Sequence, residues 1–405
     1  MTPNPALGVG LHWLGGLASA SFYVPYRWVK RWSWETFWLA GGIFSWIVAP
    51  WILGWLITRD LIAVLSATPR TTLFEVAFFG MLWGVGGLTY GLTMRYLGLS
   101  LGMAVVLGLC AAFGTLAPPI LHGVFVSQVL ATLSGRIILL GVFVCLLGIS
   151  VAGLAGLSKE RAMSPAEQKA VIREFNLRKG IAVAILSGVM SACFALGLSW
   201  GDPISNLTLA RGTPPIWQGL AILPVLLLGG FLTNFVWCVI LHVRNKSGHE
   251  YFNRYARDDA KVSPNETTIE TALDAASREV VEHSPGWERD RGGPAIAVAQ
   301  GATVEQQPRR VPMLSNYLLC ALAGTTWYFQ FFFYTMGESQ MGRYKFSSWT
   351  LHMASIIIFG SLWGIGLKEW KGAGMRAGWL LTLALLLLVG STVIVGYGNY
   401  VAIAH

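Results

Sequence analysis

Charged side chains are missing from ten long stretches of this chain. No Asp, Glu, Lys or Arg occurs within residues 7–24, 37–58, 76–94, 97–121, 137–157, 180–200, 217–242, 313–336, 348–367 or 377–403, about half of the sequence. Charged residues make up 12% overall, against about 25% in a soluble domain, so a water-soluble globular class is excluded. The stretches do not alternate apolar with polar residues, which excludes the strands of a membrane barrel. A Gly-rich phosphate loop ending in Lys-Ser or Lys-Thr is also missing, so ATP hydrolysis does not supply energy. The five cysteines (Cys110, Cys145, Cys193, Cys238, Cys320) all lie in apolar stretches without metal-ligand spacing, and a disulfide framework is not expected. No His, Asp and Glu cluster has the spacing of a metal site. No enzyme signature, metal or cofactor is therefore predicted.

A bilayer core about 30 Å thick takes ~20 apolar residues of helix to cross. The ten stretches are read as ten transmembrane helices. Ala18-Ser19-Ala20 resembles a signal-peptide cleavage site, yet no basic residue precedes His12, and residues 7–24 are expected to remain as a span. The composition agrees: 54% hydrophobic residues, with Gly 47 and Trp 18. Glycine lets membrane helices approach closely, and Trp favours the membrane–water interface. The net charge of +9 fits loops beside anionic lipid rather than nucleic acid. Connections after odd-numbered spans hold 23 Lys and Arg and those after even-numbered spans hold 6; without the long 243–312 connection the ratio is 13 to 6. The odd connections are thus expected in the cytoplasm and both termini outside.

A weak internal repeat runs through the chain. Gly16-Leu-Ala-Ser19-Ala20-Ser21-Phe22 in the first span echoes Gly188-Val-Met-Ser191-Ala192-Cys193-Phe194 in the sixth, and Leu146-Leu-Gly148-Ile-Ser150 echoes Leu388-Val-Gly390-Ser391-Thr392. Five spans are an odd number, so the second copy must insert upside down. Inverted repeats with a midplane site are a mark of secondary transporters. The expected organisation is a first five-helix repeat at 1–157, a charged cytoplasmic linker at 158–179, and a second repeat at 180–405 interrupted by a polar cytoplasmic connection at 243–312. Within that connection, Thr267-Thr-Ile-Glu270 can form a capping box opening a surface helix over 268–283.

Polar groups inside the apolar stretches are costly and are functional candidates by default. His12 and His352 lie a few residues into the first and ninth spans, which start from the same side, so their imidazoles sit at similar depth. Histidine titrates near pH 6.5 and suits proton carriage; the alternative is a neutral His bonded to a neighbouring carbonyl. No span contains a carboxylate. Glu35, before the second span, either reaches a cavity or favourably ends the helix N-terminus. Glu75 and Glu338 are weaker candidates at other span edges. The eighth span carries Thr325-Thr326-Trp327-Tyr328-Phe329-Gln330-Phe331-Phe332-Phe333-Tyr334. Aromatic faces pack on the C–H face of a sugar while amides and hydroxyls bind its OH groups; the alternative is helix packing and lipid contact. Gln330 and Tyr328 stand out there, and Tyr90 in the third span.

Several segments together resemble the bacterial L-rhamnose–proton symporter family: Phe22-Tyr23-Val24-Pro25, Trp32-Ser33-Trp34-Glu35-Thr36, Tyr90 to Gly98, Trp327 to Tyr334, Ser348-Trp349-Thr350-Leu351-His352-Met353 and Leu367-Lys368-Glu369-Trp370. The resemblance covers nearly all ten spans in order. It implies the drug/metabolite transporter superfamily, ten helices in two inverted halves, and proton-coupled uptake of a deoxysugar across a bacterial inner membrane, with a sugar, a proton and the lipid bilayer as partners and no nucleic acid. The sugar-binding candidates are then Gln330, Tyr328, Trp327, Tyr90 and Thr89; the proton-coupling candidates are His12, His352 and Glu35. The chain departs from the family pattern at Gly87 and Thr89, where amides are usual, at Ser199, where Asn is usual, and in the long 243–312 connection. The alternative is a drug/metabolite-type carrier or exporter for another small polar solute. The charge asymmetry makes the topology testable: a single cysteine introduced within 243–312 should resist an impermeant thiol reagent in intact cells, and ready labelling would invert the orientation.

Overall fold

The computed structural model describes residues 2–162, 176–253 and 310–404. The predicted surface helix at 268–283 and most of the 158–179 linker lie outside them. Among the described residues the chain is helical, with no β-strand. The helices are α1 (Pro5–Ser21), α2 (Trp34–Ile43), α3 (Ala49–Ile57), α4 (Leu61–Ala67), α5 (Arg70–Leu97), α6 (Leu99–Leu121), α7 (Leu133–Ala162), α8 (Leu177–Trp200), α9 (Asp202–Ala210), α10 (Leu223–Asn245), α11 (Met313–Glu338), α12 (Ser348–Gly366) and α13 (Gly374–Ala404). Eight helical segments are long and apolar enough to cross a membrane, including the continuous Trp34–Ile57.

Local signals explain the boundaries. Asn4 caps α1 by accepting from the Leu7 N–H at 3.1 Å, and Pro5 follows at the first helical position, where its missing N–H costs nothing. Gly98, at φ 79°, breaks α5 from α6, a backbone angle that favours glycine. Between α2 and α3 the chain forms a π turn over Phe44–Val48. Pro50 follows directly. Proline cannot donate to the carbonyl four residues back and its ring crowds it, so the ladder around Trp46 is loosened from one side. Several helices run past their uncharged stretch: α5 starts at Arg70 rather than near residue 76, leaving Glu75 exposed on its first turns.

The helices α1 and α11 pack on each other. They carry buried polar side chains, including His12, Asn316, Gln330 and Thr335, while Trp55, Phe74, Phe143, Leu314 and Trp379 face outward as lipid-facing groups do. The principal packing pairs are α7 with α13, α5 with α8 and α10, α6 with α7 and α8, α1 with α11 and α12, α2 with α11, and α12 with α13.

Connections after odd-numbered spans meet at one end of the bundle. There Arg27 pairs with Glu369 at 3.6 Å, the Ser33 N–H and Oγ donate to Glu250 Oε2 at 2.7 and 2.9 Å, and the Asn176 N–H donates to the Tyr96 carbonyl at 3.2 Å. Connections after even-numbered spans meet at the other. The Arg59 N–H donates to Thr213 Oγ1 at 3.0 Å, Tyr344 Oη lies 2.7 Å from Thr132 Oγ1, and Lys345 pairs with Asp202.

The closest helix approach on the odd-connection side joins α2 to α11. A Cβ on Gly324 would collide with the carbonyl oxygen of Gly41, and one on Gly41 would strike the Tyr26 hydroxyl. Because backbone blocks the first position, Gly324→Ala should lower stability by about 1–3 kcal/mol. Gly360→Ala, with nothing within 4 Å of the new methyl, should not. Thermal unfolding of the two purified variants checks this.

Candidate functional site

The deepest polar groups converge on one aromatic ring. His12 from α1 and His352 from α12 are fully buried, with ring centroids 5.1 and 5.3 Å from that of Tyr334 on α11, both edge-on. All four imidazole nitrogens lack a hydrogen-bond partner. Buried polar atoms are normally paired, and each exception calls for an explanation. Ser355 Oγ lies 3.0 Å from the His12 carbonyl and 2.8 Å from its own helix's His352 carbonyl, tying α12 to α1. Next to this cluster an aromatic layer fills the core: Phe194 stacks on Phe331 at 3.8 Å and 18°, flanked by Trp349 and Trp83 at 5.9 and 5.2 Å.

Towards the odd-connection end lies a narrow, half-open recess lined by Phe22, Tyr26, Trp38, Gly42, Ser45, Trp46, Gly324 and Trp327. The stretch after α1 gives Phe22 and Tyr26, and α2, the π turn and α11 build the rest. Trp38 and Gly42 are four apart on α2 and share a face; the π turn brings Ser45 and Trp46; the Gly41–Gly324 crossing brings Trp327. Trp46 and Trp327 stand edge-to-face at 5.8 Å. Trp38 is oriented by its Nε1–H donating to Asn234 Oδ1 at 3.1 Å, and Asn234 by donating to the Gly230 carbonyl at 2.9 Å. The Trp46 indole N–H is buried without a partner. Aromatic walls with a few unspent donors suit a ligand with both C–H faces and hydroxyls.

A third cluster closes the odd-connection end. Glu35 is 3% exposed; its Oε1 accepts from Asn245 Nδ2 at 3.1 Å and from Ser247 Oγ, both at the end of α10. His242 lies 2.8 Å from Ser247 Oγ and 3.0 Å from the Tyr251 hydroxyl. Burial pushes the Tyr251 phenol above its ordinary range, keeping it a neutral hydrogen-bonding group. Lys246, at φ 54°, holds the turn that presents Ser247.

The chain matches the L-rhamnose-proton symport protein family over residues 1–253 and 304–401. It is 34% identical over 393 residues to the L-rhamnose-proton symporter of Salmonella gallinarum, covering 97% of each chain. It is also 34% identical over 395 residues to those of Salmonella paratyphi B and Salmonella newport, again covering 97% of each. The chain belongs to the L-rhamnose-proton symport protein family.

In this symport family member the predicted site residues fall into separate places. His12 and His352 are both brought against the ring of Tyr334. Glu35 joins the end cluster instead. Trp327 lines the recess. Gln330 is 4% exposed with its amide nitrogen unpartnered, and Tyr328 is fully buried with its hydroxyl unpartnered. Tyr90 is half-buried, and the Thr89 hydroxyl is spent on the Val85 carbonyl of its own helix at 2.9 Å. Sequence reasoning missed Tyr26, Trp38, Ser45 and Trp46 as a group. The signal was Pro50, whose position after a Trp-rich run marks a loosened ladder. Glu35→Ala should cost about 1–3 kcal/mol, because Ser247 and Asn245 lose a buried acceptor; a melting temperature unchanged from the parent protein would show the cluster to be slack.

Proposed function

We propose that this chain is a proton-coupled carrier that takes up L-rhamnose, or a closely similar deoxysugar, across a bacterial inner membrane. Family membership over nearly the whole chain carries the reading, and the relatives bear that activity in their names. The aromatic recess supports it physically. Opened wider, the recess would offer Trp46 and Trp327 to the apolar methyl and C–H face of a 6-deoxysugar and the unpartnered Trp46 N–H to one of its hydroxyls; Gln330 and Tyr328, buried outside the recess lining, are the further donors we assign to the sugar. Thr89 and Tyr90 belong to the same proposed sugar surface on α5, Thr89 the weaker because its hydroxyl is already bonded. The proton is the coupling ion, carried by His12 and His352, with Glu35 as the carboxylate of the cytoplasmic end; no cofactor is required.

The architecture we assign is ten spans in two inverted halves of the drug/metabolite transporter type, with both termini periplasmic. Packing supports it. Exchanging α1 with α8, α2 with α10, α5 with α11, α6 with α12 and α7 with α13 leaves the pair α7–α13 as it is and turns each other principal pair into another: α5–α8 into α11–α1, α6–α8 into α12–α1, α5–α10 into α11–α2, and α6–α7 into α12–α13. The repeated glycines agree. A Cβ on Gly16 would meet Ser355 of α12, and one on Gly188 would meet Leu109 of α6 at 2.6 Å, the corresponding helix of the other half.

Purified protein in proteoliposomes should exchange labelled L-rhamnose in counterflow and draw protons inward when the sugar is added. Counterflow without proton movement points to a uniporter, and no counterflow to another solute. Trp46→Phe keeps the aromatic wall and removes one donor; Gln330→Ala removes the amide. Each should weaken sugar binding by about 0.5–1.5 kcal/mol, roughly 2- to 13-fold. Affinity equal to the parent in both variants would move the site off α2 and α11. Replacing His12 or His352 by Gln should leave sugar equilibration and abolish uphill accumulation; full accumulation in both single variants and the double variant would exclude the pair.

A further inference from the structure

One carboxyl group stands closer to the buried histidines than Glu35 does. Glu338 ends α11 one turn beyond Tyr334, and the Tyr334 hydroxyl donates to Glu338 Oε1 at 3.5 Å. Tyr334 is 1% exposed and its ring contacts those of both His12 and His352 edge-on. On the same turn, Gly337 faces His12: a Cβ there would sit 2.9 Å from His12 Nε2. Glu338 is therefore joined to the two imidazoles through a tyrosine and a bare stretch of backbone. The charged groups facing it are Lys345, from the segment before α12, and Asp202, which opens α9. These two pair with each other, so Lys345 is shared and does not serve Glu338 alone.

We propose that Glu338 is the proton-loading group of this symporter and that Tyr334 relays its protonation state to His12 and His352. This rests on the proton-symport reading above. Glu338 lies at the end where the even-numbered connections meet, the end that the Lys and Arg distribution places outside, facing the proton source. As a carboxylate it engages the Tyr334 O–H. On taking up one proton from outside, it becomes a neutral carboxylic acid and a weaker acceptor, which loosens its hold on the Tyr334 O–H and lets the Tyr334 ring shift against the two imidazoles it touches. No bond to carbon changes; one proton is gained at Glu338 on the outside, passes to the imidazole pair, and is released from it when the site opens inward, leaving Glu338 a carboxylate again. Tyr334 is a positioning residue; Glu338 is the group that takes the proton up from outside, and His12 and His352 carry it onward.

The test uses full-length protein in proteoliposomes with an inward proton gradient of one pH unit, which concentrates a sugar up to about tenfold for each proton carried. Glu338→Gln should bring internal rhamnose only to the external concentration, with no proton uptake on adding sugar. Glu338→Asp should restore accumulation with a displaced pH profile. Tyr334→Phe keeps the ring against both histidines and removes only the relay; it should reduce accumulation and shift its pH dependence. Accumulation by Glu338→Gln at the level of the parent protein overturns the proposal, as does a Tyr334→Phe variant with an unaltered pH profile. If Glu338→Gln fails to fold, Tyr334→Phe decides. Absence of rhamnose counterflow by the parent protein is a separate result and removes the function proposed above instead.

Discussion

Backbone-distance contact between helices is the constraint on which the rest of this bundle depends. In lipid there is no hydrophobic force between apolar helices, so association relies on close packing and on hydrogen bonds between them. Gly324 against Gly41 joins α11 to α2, and Gly16 against Ser355 joins α1 to α12. The first contact sets the wall of the aromatic recess; the second holds His12 beside His352. Neither pair of helices could be displaced by a side chain's width without separating the groups that the site brings together.

This dependence also explains where polarity is tolerated. The helices α1 and α11 lie against each other and against α12 or α2. Their polar side chains are buried, and partners at those depths are few. A bundle built on close approach has little room for compensating groups, so an imidazole or amide placed there stays unspent until something enters or moves.

The positions of the long helices were legible because lack of charge over some twenty residues has one physical meaning. Boundaries were less legible: Arg70 and Glu75 belong to α5 because a helix continues into the polar interface. The site was legible in part. His12, His352 and Trp327 announced themselves as costly or distinctive residues within apolar stretches. Trp38 and Trp46 did not, since a Trp-rich run reads equally as an interfacial belt, and only the crossing at Gly324 shows that they face inward. Glu338 stood only as a weaker span-edge candidate because it sits past the last apolar residue, where a carboxylate ordinarily meets water; the proximity of His12 comes from folding, not from spacing.

The π turn at Phe44–Val48 sets the length of the span that holds it. Such a turn accommodates one residue beyond an ordinary α ladder, so along this span a given face recurs after five positions at the bulge instead of four. A chain shortened by one residue there would close into an unbroken helix with both flanks still on their original faces, and Trp34 and Ile57 would keep their neighbours. The same deletion in α5 or α7 would turn everything beyond it by about 100°. Variation in the number of residues is thus absorbed at one level of the membrane, beside Trp46, and the shape of the recess can be altered there without dismantling either end of the bundle.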